Sequence, residues 1–200
     1  PKIPLIAIIG PTAVGKTEFS LALSASLNAE VISVDSRQVY RYLDVGTDKV
    51  SREIRREVVH HLIDIVDPDQ VYSAADFAAD AEDAACRIRA RGRVSLLIGG
   101  TPFYYRDLAG MLSEDLPKDD KVRKTLEEEI AARGLGALHE ELCRIDPESG
   151  ARIHPNDPIR TMRAVEIYRI TGKSASWWYE RQQRSESPYD ILYIGLIRSR

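Results

Sequence analysis

An apolar run, Leu5–Ile9, leads directly into Gly10-Pro11-Thr12-Ala13-Val14-Gly15-Lys16-Thr17, and a helical pattern follows from about Lys16 to Leu27. This GxxxxGK[ST] loop between a strand and a helix constrains the fold more than any other feature of the chain. Phosphate oxygens need donors that converge from one side. Backbone N–H groups of Gly10, Pro11's neighbours, Thr12, Ala13, Val14 and Gly15 can supply them, a helix N-terminus adds partial positive charge, and Lys16 adds a full one. The Thr17 hydroxyl is suited to ligate Mg²⁺. Residues Gly10 to Thr17 are therefore assigned to a polyphosphate cradle, with Thr17 as the metal-binding position.

Strand and helix patterns alternate through the first half. Val31–Val34 reads as a second strand, Leu62–Val66 as a third, and Val94–Ile98 as a fourth that ends in Gly99-Gly100. Ser73–Arg91, rich in alanine and followed by Gly92, reads as a helix with a glycine C-cap. Apolar strands without polar alternation, separated by helices, imply a parallel sheet covered on both faces. The expected fold is α/β, a P-loop NTPase-like parallel sheet flanked by helices. Beyond about residue 115 the strand signals stop. Pro117 to Arg133 reads as one helix, and Asp157-Pro158 puts a capping side chain before a proline at the first helical position of another, ended by Thr171-Gly172. Ile191–Leu196 returns to strand. The expected organisation is thus a core of residues 1–114 and 190–200, interrupted by an all-helical insertion over 115–189.

Composition narrows the function classes. The 28 basic and 31 acidic residues give a net charge of −3, which excludes a uniformly basic nucleic-acid binder. Yet residues 151–184 carry seven basic against three acidic side chains, +4, leaving −7 for the rest. A basic segment on an acidic protein is the footprint expected for docking a polyanion. Arg160 and Arg163, three apart on one helix, are expected to point to one side. Trp177 and Trp178 read as packing anchors. Cys86 and Cys143, far apart and without a CxxC partner, read as helix-packing thiols in a reducing compartment. No apolar run approaches a membrane span, so a cytoplasmic location is expected, with no protein partner called for. His60 and His61, adjacent on a strand, would face opposite ways and cannot chelate one ion together.

The acid expected at the end of the strand Val94–Ile98 to hold a nucleotide's Mg²⁺ is missing, and Thr101 follows the glycines instead. The acid stands at the end of the second strand, Asp35. Both belong to the carboxyl edge of the sheet, where ligands of parallel sheets bind.

Six blocks now stand in order: Gly10–Thr17, Asp35-Ser36-Arg37-Gln38-Val39-Tyr40, Asp44-Val45-Gly46-Thr47, His60-His61-Leu62-Ile63-Asp64, Gly99-Gly100-Thr101 and Asn156–Ala164. Together they resemble the tRNA dimethylallyltransferases, the isopentenyl (IPP) transferase family. Pro102-Phe103 stands where the family usually has Gly-Leu, and Asp48-Lys49-Val50 where it has Ala-Lys-Pro. The resemblance implies transfer of a dimethylallyl group from dimethylallyl diphosphate to N6 of the adenosine on the 3′ side of the anticodon, with Mg²⁺ as cofactor and tRNA as partner. It also implies a further helical part beyond Arg200. The loop would hold a diphosphate leaving group. Asp35 would be the general base for N6, with magnesium coordination or helix capping as its other readings, and Thr101 would hold a hydroxyl near the reacting nitrogen. The same resemblance places tRNA contacts at Asp35, Ser36, Arg37, Gln38, Thr101, Arg123, Ile159, Arg160, Thr161, Met162 and Arg163. Two other functions fit a glycine loop of this kind, a prenyltransferase of free adenine nucleotides and a non-catalytic phosphate- or RNA-binding module. The basic helical segment argues against the first, and the placement of Asp35 and Thr101 against the second.

Overall fold

The computed structural model describes residues 2–109, 116–181 and 187–197. They divide into two compact units, one drawn from Pro1–Leu112 with Arg184–Arg200, the other from Ser113–Gln183. No helix among the described residues is long and apolar enough to cross a membrane.

The first unit is built on β1 (Ile3–Ile9), α1 (Lys16–Leu27), β2 (Ala29–Ser33), α2 (Arg52–Glu57), β3 (His60–His61), α3 (Ala74–Ala90), β4 (Val94–Ile98), α4 (Pro102–Leu108) and β5 (Tyr189–Gly195). The strands form one parallel sheet in the order β3-β2-β4-β1-β5. β5 pairs with β1 over its whole length, from Ile3–Tyr189 to Ile9–Gly195, so the chain between α4 and β5 is inserted between two strands of one sheet. Strand alternation sends Leu5, Ala7, Ile32, Val34 and Leu97 to one face, against Phe77, Ala81, Ala84, Ala85 and Ile88 of α3 and Tyr104, Tyr105 and Leu108 of α4. The neighbours Val31 and Leu96 point to the other face, towards Leu23 of α1. This two-sided burial explains why the strands read as continuous apolar runs. The core is the P-loop NTPase-like α/β fold expected from the sequence.

Helix α3 begins where Ser73 and Asp76 close a capping box, each side chain accepting the other's backbone N–H. It is followed by Gly92 at φ +69°. One expectation needs correction. The apolar stretch Leu62–Val66 is not a strand: β3 is the preceding pair His60–His61, and Leu62 and Asp64 take φ of +61° and +59°. Leu62 and Ile63 are buried all the same, and Val66 forms a single bridge with Tyr40. Burial here comes from a convoluted loop, which supplies the same apolar pattern that a strand would.

The second unit consists of α5 (Asp120–Arg133), α6 (Leu135–Ile145), α7 (Pro147–Arg152), α8 (Pro158–Thr171) and α9 (Ala175–Arg181), all helical as expected. Asp119 rather than Pro117 marks the start of α5, accepting from the N–H groups of Lys121 and Val122. Asp157 caps α8 through the Arg160 N–H, with Pro158 in the first turn. Leu126, Leu138, Leu142, Ile153, Ala164, Val165, Ile167 and Ala175 make this unit's core.

Candidate functional site at the carboxyl edge of the sheet

The loop Gly10–Thr17 leaves β1 and turns into α1 through Gly15, which caps the helix at φ +97°. Ala13 also has positive φ, +63°. Such turns aim successive N–H groups inward. Gly10 is fixed by contact: a Cβ there would lie 2.6 Å from the Leu196 carbonyl oxygen, on the segment leaving β5. The Lys16 ammonium reaches back over the loop, donating to the carbonyls of Gly10 (2.9 Å) and Pro11 (2.7 Å). Thr17, half-buried, occupies the first turn of α1. The structure therefore keeps the strand–loop–helix context that the spacing requires.

Next to β1 in the sheet is β4, and beyond it β2, so the ends of these strands adjoin. The close approach is strict at Gly99, where a Cβ would meet the Val34 carbonyl oxygen at 2.1 Å. Thr101 then donates its backbone N–H to that same carbonyl (3.2 Å), while its hydroxyl oxygen accepts the Ser36 N–H (3.1 Å). Thr101 and Asp35, read from two separate strands, are thus brought together by a direct cross-link at Ser36. The Asp35 Oδ1 accepts the N–H groups of Arg37 (2.8 Å) and Gln38 (3.2 Å). Both bonds go to one oxygen. The turn therefore holds the carboxylate in place while Oδ2 takes no hydrogen bond among the described residues.

Arg37 is exposed, whereas Gln38 is committed elsewhere. Its Oε1 accepts from Ser33 Oγ (3.0 Å), and its Nε2 donates to the carbonyls of Thr47 and Asp48 (both 3.1 Å). Gln38, expected as a tRNA contact, has its amide bonded within the protein: both NH₂ bonds tie the loop 43–49 to the residues after β2. The same loop is held by Lys49, whose buried ammonium contacts the Tyr40 carbonyl, Asp44 and Asp64, with Arg55 on the other oxygen of Asp64. Burial would raise the Asp64 carboxyl, but the bonds from Lys49 and Arg55 overcome it and hold the group below the usual carboxylate range. The blocks Asp44–Thr47 and His60–Asp64 therefore meet through Lys49.

Tyr104 was not singled out in the sequence. It is almost fully buried and stacks on Phe77, with ring centroids 4.2 Å apart. Burial, then the charges of Tyr40 and Asp35, push its hydroxyl up to about 12, so it remains a protonated donor in the field of Asp35. The one available signal was its position, three residues past Thr101.

Within the helical unit the predicted residues separate by role. Ile159 and Arg160 are about three-quarters exposed, Arg160 keeping only a loose pairing with Asp157 at 3.5 Å. Arg163 points elsewhere: it donates to the carbonyls of Leu116 (2.8 Å) and Pro117 (2.9 Å) and to Glu166 (2.6 Å). Arg123 holds the same Glu166 at 2.8 Å. This corrects the expectation of paired outward cations. Arg123 and Arg163 fasten α5 to α8 through a carboxylate that is 1% exposed, and a buried carboxylate must be paired. Thr161 is fully buried, whereas Met162 packs against the core and stays partly exposed.

Trp178 packs into the core, its Nε1 donating to Thr171 Oγ1, as read, whereas Trp177 has cations on its ring. Cys86 and Cys143, read as helix-packing thiols, are exposed residues, though the Cys143 sulfur lies against Gly150. His60 and His61 diverge as expected, to the Val58 carbonyl and to Glu30.

Comparison with known proteins agrees with this geometry. The family model described as IPP transferase matches residues 38–200, and one described as isopentenyl transferase matches residues 3–61. The tRNA dimethylallyltransferase of Halorhodospira halophila is 51% identical over 86% of this chain and 56% of its own length, and that of Geobacter sulfurreducens 42% over 98% and 63%. The chain thus spans less than two thirds of the length of these relatives. Among solved structures, the full-length tRNA isopentenylpyrophosphate transferase of Bacillus halodurans covers 97% of the chain at 43% identity with a TM-score of 0.60, the chain spanning 60% of it. A eukaryotic dimethylallyltransferase acting on tRNA covers 96% at 30% identity with a TM-score of 0.78, the chain spanning 48% of it. With the family model matching residues 38–200 and relatives 42–51% identical over most of its length, the chain belongs to the IPP transferase family.

Proposed function

We propose that the chain carries the donor site and the nucleophile-activating carboxylate of a tRNA prenyltransferase, moving a dimethylallyl group from its diphosphate to N6 of the adenosine on the 3′ side of the anticodon. The observation that carries the reading is Asp35, anchored through Oδ1 alone at the carboxyl edge of a sheet whose next crevice is a GKT loop. Adenine N6 is a weak nucleophile because its lone pair is delocalised into the ring. As N6 bonds to C1 of the donor, the C1–O bond breaks and its electron pair leaves with the diphosphate. The N6 proton passes to Asp35 Oδ2. Lys16 and the loop amides stabilise the charge that grows on the leaving group. Thr101, accepting the Ser36 N–H, helps to hold the turn that carries Asp35, and Tyr104 lies within its field. The hydroxyl of Thr17 is a hard oxygen donor that fits Mg²⁺; bound there, the ion would neutralise diphosphate charge.

The test is Asp35→Asn in single-turnover prenyl transfer across a magnesium series, with tRNA affinity measured separately. Loss of a general base costs roughly 100- to 10,000-fold in rate, and tRNA binding is expected to be kept. Recovery at high magnesium would make Asp35 a metal ligand instead. A near-normal rate at ordinary magnesium would remove it from the mechanism.

A further inference from the structure

The +4 of residues 151–184 looks like one basic surface in the sequence, but the fold divides it. Arg163 is spent on Glu166 and two carbonyls. Arg169 forks onto Glu129 at 2.7 and 2.8 Å and also reaches Glu141, which together raise its pKa further. These two arginines hold helices together and have no charge to spare for a partner. The cations that remain outward include a pair gathered on one aromatic ring. Lys173 Nζ lies 5.4 Å from the Trp177 ring centroid, and the Arg181 guanidinium lies 4.3 Å from it. Trp177 itself is braced edge-on by Trp178 at 5.2 Å, and Trp178 is rooted in the core of the unit.

We infer that Lys173, Trp177 and Arg181 form a phosphate clamp for the RNA backbone, a docking element separate from Arg160. A guanidinium lying on an indole keeps its N–H edge free, so the ring fixes the side chain without consuming its donors. The rotamer freedom that a long cation normally loses on binding is already restricted. Ion pairing competes weakly: Arg181 meets only Glu180, at 3.8 Å with both side chains more than half exposed, and Lys173 has no ion-pair partner among the described residues. RNA backbone is the occupant that fits, because two cations gathered on one ring, neither with a carboxylate at hydrogen-bond distance among the described residues, match a repeating monoanion. The inference rests on the tRNA reading above and names where on the helical unit that partner is held.

The test is a salt titration of tRNA binding by the intact protein, comparing wild type with Lys173→Gln/Arg181→Gln. These are surface changes that leave the half-buried indole and the core in place. The expected result is about tenfold weaker binding near physiological salt and a log–log slope flatter by roughly one to two units, as two phosphate contacts are lost. A second variant, Trp177→Leu, keeps both charges and removes the platform; affinity should fall about threefold with the slope unchanged. If wild type binds tRNA and the double variant keeps its slope and affinity, the clamp is overturned while the tRNA reading stands. If wild type binds no tRNA at any salt, both fall together.

Discussion

Among the described residues each unit buries a carboxylate against cationic side chains, Glu30 in one and Glu166 in the other, and the two are held in different ways. Glu30, on β2 of the sheet unit, is 2% exposed and receives His61 at 2.6 Å, both Nε and a terminal nitrogen of Arg91, and Arg93 at 3.2 Å. Glu166, on α8 of the helical unit, is 1% exposed and receives Arg123, Arg163 and the Asp119 backbone N–H. Arg91 and Arg93 are 46% and 39% exposed, so water shares their charge, and the third partner of Glu30 is an imidazole. On Glu166, Arg123 is likewise 42% exposed, but Arg163 is 24% exposed and is committed to two carbonyls besides. Both carboxylates draw on a half-hydrated arginine, but the one between two helices also has a cation brought inside with it. The lesson concerns reading charge from sequence: a buried acid silently removes nearby arginines from the surface inventory.

The comparison can first be broken with acid, where the expected effect is largest because both clusters respond. Burial alone would raise Glu30, but the bonds from Arg91 and His61 outweigh it; burial would likewise raise Glu166, outweighed by Arg163 and Arg123. Both carboxyls are thus held below their ordinary range. Their stabilisation is complete above the unfolded carboxyl range near pH ~4.3 and is lost as pH falls through the lowered folded values. Urea midpoints measured from pH 7 down to pH 3 should fall steeply at the acid end, and Glu30→Gln or Glu166→Gln should each flatten that limb. A limb unchanged in both variants would show that other carboxylates carry it.

At neutral pH the two substitutions should differ. Glu166→Gln is expected to cost about 2 kcal/mol and Glu30→Gln about 1 kcal/mol, since hydrogen bonds to charged groups are worth more when the partners cannot turn to water. Urea unfolding gives the totals, and amide exchange should localise the first loss to α5 and α8 and the second to β2 and β3. Equal costs would mean that partner exposure does not govern the outcome. Smaller again is the contrast within one helix. Arg163→Gln should cost about 1.5 kcal/mol, leaving the carbonyls of Leu116 and Pro117 without that donor, while Arg160→Gln stays within about 0.5 kcal/mol and instead weakens tRNA binding. The smallest effect belongs to His61→Gln, about 0.5 kcal/mol by thermal melting, because Glu30 keeps both arginines.

Most of the sheet was readable because local rules and tertiary demands agree there. β1 and β4 are largely apolar on both faces, β2 and β5 keep short apolar runs, and the caps at Ser73 and Asp157 are satisfied within three residues of themselves. Asp35 and Thr101 were found because a strand end followed by a polar side chain is a local signal. What escaped depends on partners far away in sequence. Leu62–Val66 carries strand-like composition, yet two left-handed residues within it turn Asp64 towards Lys49 and Arg55. Gln38 looks available until Thr47 and Asp48 close over it. Arg123 and Arg163 look outward until Glu166, itself an unremarkable helix residue in sequence, draws both in. Tyr104 has no motif of its own, and only its stacking on Phe77 and its nearness to Asp35 reveal it.

The contact between Gly99 and Val34 bears on redesign of the donor and acceptor preferences. Gly99 and Gly100 are adjacent and identical in type, yet a side chain at Gly99 would collide with the backbone of β2, whereas one at Gly100 would meet nothing within 4 Å. A mutagenesis library that treats the pair alike would waste half of its diversity on variants that wedge apart the strand ends carrying Asp35 and Thr101. Directed evolution should hold Gly99 invariant, as it should Gly10 against Leu196, and place new bulk at Gly100, where an added side chain can alter the crevice without disturbing the seam beneath it.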